Sequence, residues 1–295
     1  METKKYELVL SDTVTIDGRQ LFRIRYLRDT GTLKACDLGG YVENESNLSH
    51  YGDCEIGGDA KVYEYARVFG DARVYGEAVV CDKAKISGSA EVYGNARVYG
   101  NADVFGNAKV FGSAKVCGDA SVYGHAEVYD NARICDNAEV MDYAKVYGYA
   151  EIFDRAIILE TAKIYGNAEV CDNARVQGNA EVCGSAEVCG DARVYGEAVV
   201  CDKAVVTGNA QVCGDARICD IADYIVFKNW WSTGRYFTWT RSNDKWTVGC
   251  FRGTAEGLLA KAGRESEEKQ REYKRIVDYV ESVKDAIKAK MDKKQ

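Results

Sequence analysis

From Gly52 to Cys219 the chain repeats a six-residue unit 28 times in 168 residues, with no insertion or deletion. A fixed short period constrains a fold more than composition does, because every unit must take nearly the same shape as its neighbours. Three successive copies read Gly94-Asn-Ala-Arg-Val-Tyr, Gly100-Asn-Ala-Asp-Val-Phe and Gly106-Asn-Ala-Lys-Val-Phe. In Ala-x-Val the side chains alternate as on a strand, so Ala and Val share one face and x takes the other. The small residue recurs at Ala60, Ala66, Ala72 and onward; the aliphatic one at Val62, Val68 and Val74, with Ile134 and Ile152 as variants. Between them stand mostly Lys, Arg, Glu or Asp, as suits a solvated face. After Val comes Tyr, Phe or Cys in most units, then Gly or Asp, then Asn, Asp or Ser. Gly takes left-handed backbone angles freely and Asn and Asp tolerate them, so this pair reads as a corner.

A three-residue strand cannot bury its valine alone, but stacked units build one continuous core and pair their backbones in parallel ladders. The absence of proline fits, since proline would remove a ladder donor. Over residues 52–225 the pattern resembles the hexapeptide-repeat, left-handed parallel β-helix family. The resemblance implies three hexads per coil, a triangular cross-section, left-handed winding and about ten coils, or roughly 45–50 Å of rod at ~4.8 Å per coil. Parallel crossovers are ordinarily right-handed, so the winding sense rests on the likeness. Where the family often has Gly, Asp or Glu after the aliphatic residue, this chain has Tyr or Cys, and a two-sided coil of twelve residues stays open. The expected architecture is an all-β solenoid: a β-rich N-terminal cap over 1–51, the repeat over 52–223, and a small α+β module over 224–295.

With three hexads per coil, residues 18 apart stack. One side then carries Tyr75, Tyr93, Phe111, Tyr129, Tyr147 and Tyr165 in consecutive coils, followed by Cys183, Cys201 and Cys219. Its outward charges, Arg73, Glu91, Lys109, Glu127, Lys145, Lys163 and Glu181, nearly alternate in sign. The six aromatics are a candidate binding strip, a platform for sugar rings or for a partner surface. Aromatics on the other sides (Tyr63, Phe69, Tyr99, Phe105, Tyr123, Phe153, Tyr195) fit the plainer reading of a corner filler. The segment Gly70–Lys83 recurs word for word as Gly190–Lys203, twenty hexads later. Twenty is not a multiple of three, so the copy lands on a different side, which favours a spacer or scaffold over a dedicated pocket.

Ten of the twelve cysteines fall within hexads, and there is no C-x-x-C. They read as small semi-apolar fillers, reduced by default where no secretion signal is evident. Stacking sets Cys117 over Cys135, Cys171 over Cys189, and Cys183 over Cys201 and Cys219, within disulfide reach if oxidised.

The ends do not repeat. Val14–Arg25 reads as two strands about an Asp17-Gly18 turn, a cap for the open end of the solenoid. Arg19, Arg23, Arg25 and Arg28 could hold an anion or simply face solvent. After Asp220, the runs Tyr224–Phe227, Arg235–Arg241 and Lys245–Phe251 read as three strands. Thr254 can cap a helix over Ala255–Ala262. A longer helix from about Ser266 sets Tyr273, Ile276, Val277, Val280, Val283 and Ile287 on one stripe, and the last six residues are expected to fray. The module's aromatics are its own core, or else Trp230, Trp231, Tyr236 and Trp239 form a recognition surface. Tyr26…Asp37-Leu-Gly-Gly-Tyr-Val-Glu and Tyr236-Phe-Thr-Trp-Thr-Arg…Val248-Gly-Cys-Phe-Arg-Gly-Thr resemble uncharacterised repeat proteins of gut bacteria and their prophages, which implies no known activity.

A net charge of −7 and a pI near 5.2 argue against nucleic acid as the main partner. No apolar run is long enough for a bilayer and the start lacks a signal core, which points to a cytoplasmic protein without membrane contact. The hexapeptide family is best known for acyltransferases and γ-class carbonic anhydrases, and the resemblance implies a histidine base and loops that break the coils around an acyl donor. This chain has only His50 and His125, the latter in a corner slot usually held by Asn or Asp, and no loop breaks the repeat. Two histidines do not make a three-histidine zinc site. The expectation is a non-catalytic scaffold without cofactor or metal, meeting a protein or glycan through its aromatic side or C-terminal module, or associating with itself through one side. An acetyl-CoA-dependent acyltransferase, or an inactive relative, is the alternative.

Overall fold

In a computed structural model, which describes residues 4–229 and 234–292, the repeat winds into a parallel β-solenoid of about ten turns. Each hexad contributes one two-residue rung, from Glu55–Ile56 to Arg217–Ile218. The rungs form three parallel sheets in which each strand pairs with the strand three rungs away. Arg97 lies beside Lys115 and Val98 beside Val116, a shift of 18 residues. Asp103 N–H donates to Ala120 C=O and Phe105 N–H to Val122 C=O, both at 3.0 Å. This register excludes the two-sided coil of twelve residues.

Ala and Val do what the alternation requires. Ala126 and Val128 are fully buried, as are their counterparts in nearly every coil, and together they make one unbroken column. Each fully buried valine contributes about 1.5–3 kcal/mol relative to exposure. The residue between them points outward. The corners use two solutions. At Gly118 (φ +68°) an added Cβ would lie 2.7 Å from Asp136 N, so a side chain there would force the neighbouring backbone to shift. At Asp130 the chain keeps a side chain at φ 57°, and its carboxylate accepts from Gly148 N–H one coil on, at 3.2 Å. Asp172 does the same for Gly190 N–H at 2.8 Å. A hydrogen bond to the next coil thus offsets the strain of left-handed backbone, of order 1–2 kcal/mol.

The hairpin side begins with an antiparallel hairpin, Tyr6–Ile16 and Arg19–Tyr26, then Leu38–Val42, which already runs parallel to Lys61–Val62 ahead of the repeat. Tyr6, Ile24 and Tyr26 plug the open end against Leu48 and Ile56, and Ile56 N–H donates to the Tyr26 hydroxyl at 2.8 Å. The arginine row of the hairpin is answered by the cap and the first hexads: Arg19 by Glu43 and Glu64, Arg23 by Asp12 and Asp59, Arg25 by Glu7. Arg28 donates to His50 C=O at 3.3 Å. These guanidiniums are spent on the cap rather than on an anion.

The C-terminal module holds four antiparallel strands, Tyr224–Lys228, Tyr236–Thr240, Lys245–Val248 and Phe251–Gly253, not the three expected. The run Lys245–Phe251 breaks because Gly249 takes φ +57° and closes a tight turn that pairs Val248 with Phe251. Helix α1 (Ala255–Glu265) starts at Thr254, whose hydroxyl accepts from Gly257 N–H. Helix α2 (Glu267–Asp292) buries Tyr273, Ile276, Val277 and Val280 against Phe237, Trp239 and Trp246. Of the tail expected to fray, residues 293–295 lie outside the described residues. No helix of the described residues is long and apolar enough to cross a membrane.

Two cysteine stacks are bonded, which departs from the reduced default. Cys117 is joined to Cys135 and Cys201 to Cys219, with Cα atoms 4.6 and 4.7 Å apart. The coil spacing alone brings them within the usual range of about 4.4–6.8 Å. Cys171, Cys183 and Cys189 remain thiols.

Candidate functional site

The six aromatics expected on one side are all there, in one column. Tyr75, Tyr93, Phe111, Tyr129, Tyr147 and Tyr165 stack at centroid spacings of 4.8–5.0 Å with planes within 7° of parallel. That spacing is the coil repeat itself, so the rings form an offset stack along the rod axis, the arrangement aromatic quadrupoles prefer. The column is continuous because no corner on this side changes length. Each ring is half-buried. Ring faces are covered by the neighbouring rings, so edges and hydroxyls are what the column presents outward. A sugar that stacks on an aromatic face finds few faces free, and the platform imagined from sequence becomes a ridge of ring edges.

The charges beside the column neutralise one another. Arg73 pairs with Glu91, Lys145 with Glu127 at 2.8 Å, and Lys163 with Glu181 at 3.0 Å. The hydroxyls of Tyr75 and Tyr165 donate to Glu91 and Glu181, at 3.3 and 3.2 Å. The tyrosine side is therefore an apolar strip roughly 25 Å long, from five coil spacings, flanked by a self-compensated row of ions.

Burial, helped by Glu91, pushes the Tyr75 phenol up to about 12 from its ordinary 10.0. Tyr93, Tyr129 and Tyr147 are also raised, burial first among the causes. On the neighbouring side Tyr123, by burial and then by Glu139, rises to about 12. A raised phenol binds its proton more tightly in the folded state. The stability this gives is complete below pH 10 and is lost as pH rises from 10 through 12. Tyrosinate absorbance followed during alkaline titration should show a class of tyrosines ionising well above 10, with thermal stability falling over that same window. Ordinary titration at 10 with no loss of stability would contradict the packing described.

The residues expected at the far end divide. Trp239 is not a surface residue: it is 2% exposed, packed between sheet and helices, and its indole N–H donates to Asp244 at 2.8 Å. Its strand turns Phe237 and Trp239 toward the helices, and burial of the module's core takes both. Tyr236 is half-buried with the Lys228 ammonium 5.5 Å from its ring centre. Trp230 and Trp231 lie outside the described residues.

Both histidines sit in ring stacks, and His50 Nε2 also lies 3.9 Å from the Glu45 carboxylate. His50 stacks on Tyr6 at 4.5 Å, and its Nδ1 accepts from Lys5 N–H at 3.2 Å. Burial pushes its pKa down. His125 stacks on Tyr143 at a corner, centroids 4.9 Å apart. As for metal, Cys171, Glu187 and Cys189 bring three potential ligand atoms within 4.8 Å of one another. Two thiols and a carboxylate suit a borderline cation such as zinc. Burial and the adjacent Cys189 push the Cys171 thiol up to about 12, which leaves it protonated at neutral pH and a poor ligand as it stands.

Two segments, residues 66–82 and 168–184, match the family model described as the YdcK beta solenoid repeat. Both are stretches of hexads, one in the first coils and one about two coils short of the far end, so the match agrees with the solenoid. No curated protein matches the chain.

Proposed function

We propose that this protein is a rigid scaffold whose tyrosine side docks a protein partner. The observation that carries the reading is the uninterrupted six-ring column. A continuous apolar strip with its flanking charges already paired offers contact area without a field that would demand a highly charged ligand. Ring edges and hydroxyls suit a flat protein surface better than a sugar, which would need the covered ring faces. The stacked core below supports rigidity, because each coil is fixed to both neighbours over its whole perimeter.

The test compares capture of partners from the cell of origin by three forms of the full chain. These are the parent, Tyr93→Lys/Tyr129→Lys on the tyrosine side, and Phe105→Lys on the side next to it. A protein bound by the parent and by the Phe105 variant but lost from the tyrosine variant supports the reading. A partner retained equally by all three, or no partner at all, counts against it.

A further inference from the structure

The word-for-word copy of Gly70–Lys83 at Gly190–Lys203 puts the same arginine into two different settings. Arg73, on the tyrosine side, pairs with Glu91. Arg193 lands on the side against which the C-terminal module leans. There it stacks on Arg175, with Gln211 on its other flank. Like charges directly opposite on adjacent strands repel, and no carboxylate answers them. Among the described residues no carboxylate lies within 4.0 Å of the guanidiniums of Arg175, Arg193 or Arg252. Six arginines elsewhere, Arg19, Arg23, Arg25, Arg73, Arg133 and Arg241, do meet an acid; what sets Arg175, Arg193 and Arg252 apart is that they converge on one cavity.

The third arginine comes from the module. The turn at Gly249 and Cys250 brings Arg252 across to the rod, where its guanidinium lies 4.1 Å from the centre of the Tyr195 ring. Between module and rod is a cavity of about 360 Å³ lined by Arg175, Gln177, Arg193, Tyr195, Gln211 and Arg252, with Gly249 and Cys250. Small-molecule sites span about 300–1,000 Å³, so the volume is adequate. The lining is chemically one-sided: three permanent cations, two amides, a phenol, and no acid. The chain as a whole carries a net charge of −7, so this local excess of positive charge runs against the overall balance. The polar side chains are held in place: Arg175 Nε donates to Gln177 Oε1 at 2.6 Å, the Tyr195 hydroxyl to Gln211 Oε1 at 3.5 Å, and Arg252 lies on the Tyr195 ring.

We propose that this cleft binds a small phosphate-bearing ligand. Guanidinium presents paired N–H donors whose spacing matches two phosphate oxygens, and charge-assisted bonds of this kind are the strong ones. A single carboxylate would leave two of the three charges unanswered, whereas a phosphate ester or diphosphate brings two or more negative charges. The amides of Gln177 and Gln211 can bond the remainder of the ligand. The site exists only where module and rod meet, so its occupant also fastens one to the other. The proposal is independent of the tyrosine side, and either can fail without the other.

Calorimetry on the full chain with inorganic pyrophosphate at low ionic strength tests it. Saturable binding at one site per chain is expected. Arg193 and Arg252 are both exposed, so Arg193→Gln and Arg252→Gln should fold normally, and each should weaken binding at least about tenfold, the worth of one lost charge-assisted contact. Lys85→Gln, on the same side but far down the rod, should leave affinity unchanged. Acetate at equal concentration should give no saturable heat. Absence of saturable pyrophosphate binding, affinity unchanged from the parent in both arginine variants, or acetate binding as tight as pyrophosphate would each overturn the proposal.

Discussion

Val128→Asp is expected to destabilise the rod by about 5 kcal/mol or more, enough to end cooperative folding of the middle coils. Val128 is fully exposed to its neighbours in the column and not at all to water. The substitution forfeits the valine's burial and places a carboxylate where no cation or donor can reach it, and an unpaired buried charge alone costs about 3–5 kcal/mol. Because each coil touches only the next ones, the damage should divide the rod, with the halves on either side unfolding as separate units. The control is the same residue facing outward. Lys115→Asp sits between Arg97 and Arg133 on the hairpin side and should alter stability by no more than about 0.5 kcal/mol. Thermal and urea unfolding followed by circular dichroism distinguish the two. Similar losses at the two positions would mean that the inward and outward slots are misassigned.

Excising Gly94–Phe111, one complete coil, should leave a folded protein shorter by ~4.8 Å. Tyr93 then joins Gly112 in the hexad frame, every face keeps its side, and the hairpin cap and terminal module keep their mutual orientation. Excising Gly94–Val110, one residue fewer, sets Tyr93 and Phe111 in succession at one corner and should destabilise the rod at that junction. Either the extra residue bulges out and breaks the corner's bonds to the neighbouring coils, or the next rung slips by one and turns alanine and valine outward and a charged residue inward. Small-angle scattering and unfolding curves on the two deletions give a large contrast. Two deletions equally folded, or equally unfolded, would be incompatible with a frame shared by every coil.

The rod was legible in the sequence because its information is local and repeated. The choice at Ala126 or Val128 is set by spacing within one hexad, and the same choice is made in every coil. The tyrosine column followed once three hexads made a coil. What depended on contacts between non-repeating parts was not legible. Gly249 looked like one residue within a strand, and only its left-handed backbone makes it a turn. Trp239 was as compatible with a surface as with a core, since one tryptophan carries no period. The cysteine stacks were visible, but whether Cys117 and Cys135 bond while Cys171 and Cys189 do not is a matter of side-chain setting. The arginine cleft was furthest from view. Arg175 and Arg193 read as two more solvated charges, and Arg252 lay just past the end of an expected strand; only docking of the module against the rod brings them together. The signal within reach was the run of like charge, Arg175 then Arg193, 18 residues apart with no acid at the next position.

The native cysteines allow the most direct test of the coil itself. Under mild oxidation of the folded chain, peptide mapping should find crosslinks between residues 18 apart: Cys117 with Cys135, Cys171 with Cys189, and Cys201 with Cys219 or Cys183. Cys171–Cys183 or Cys189–Cys201 bridges, twelve residues apart, formed without loss of structure, would contradict a three-sided coil and every side assignment built on it.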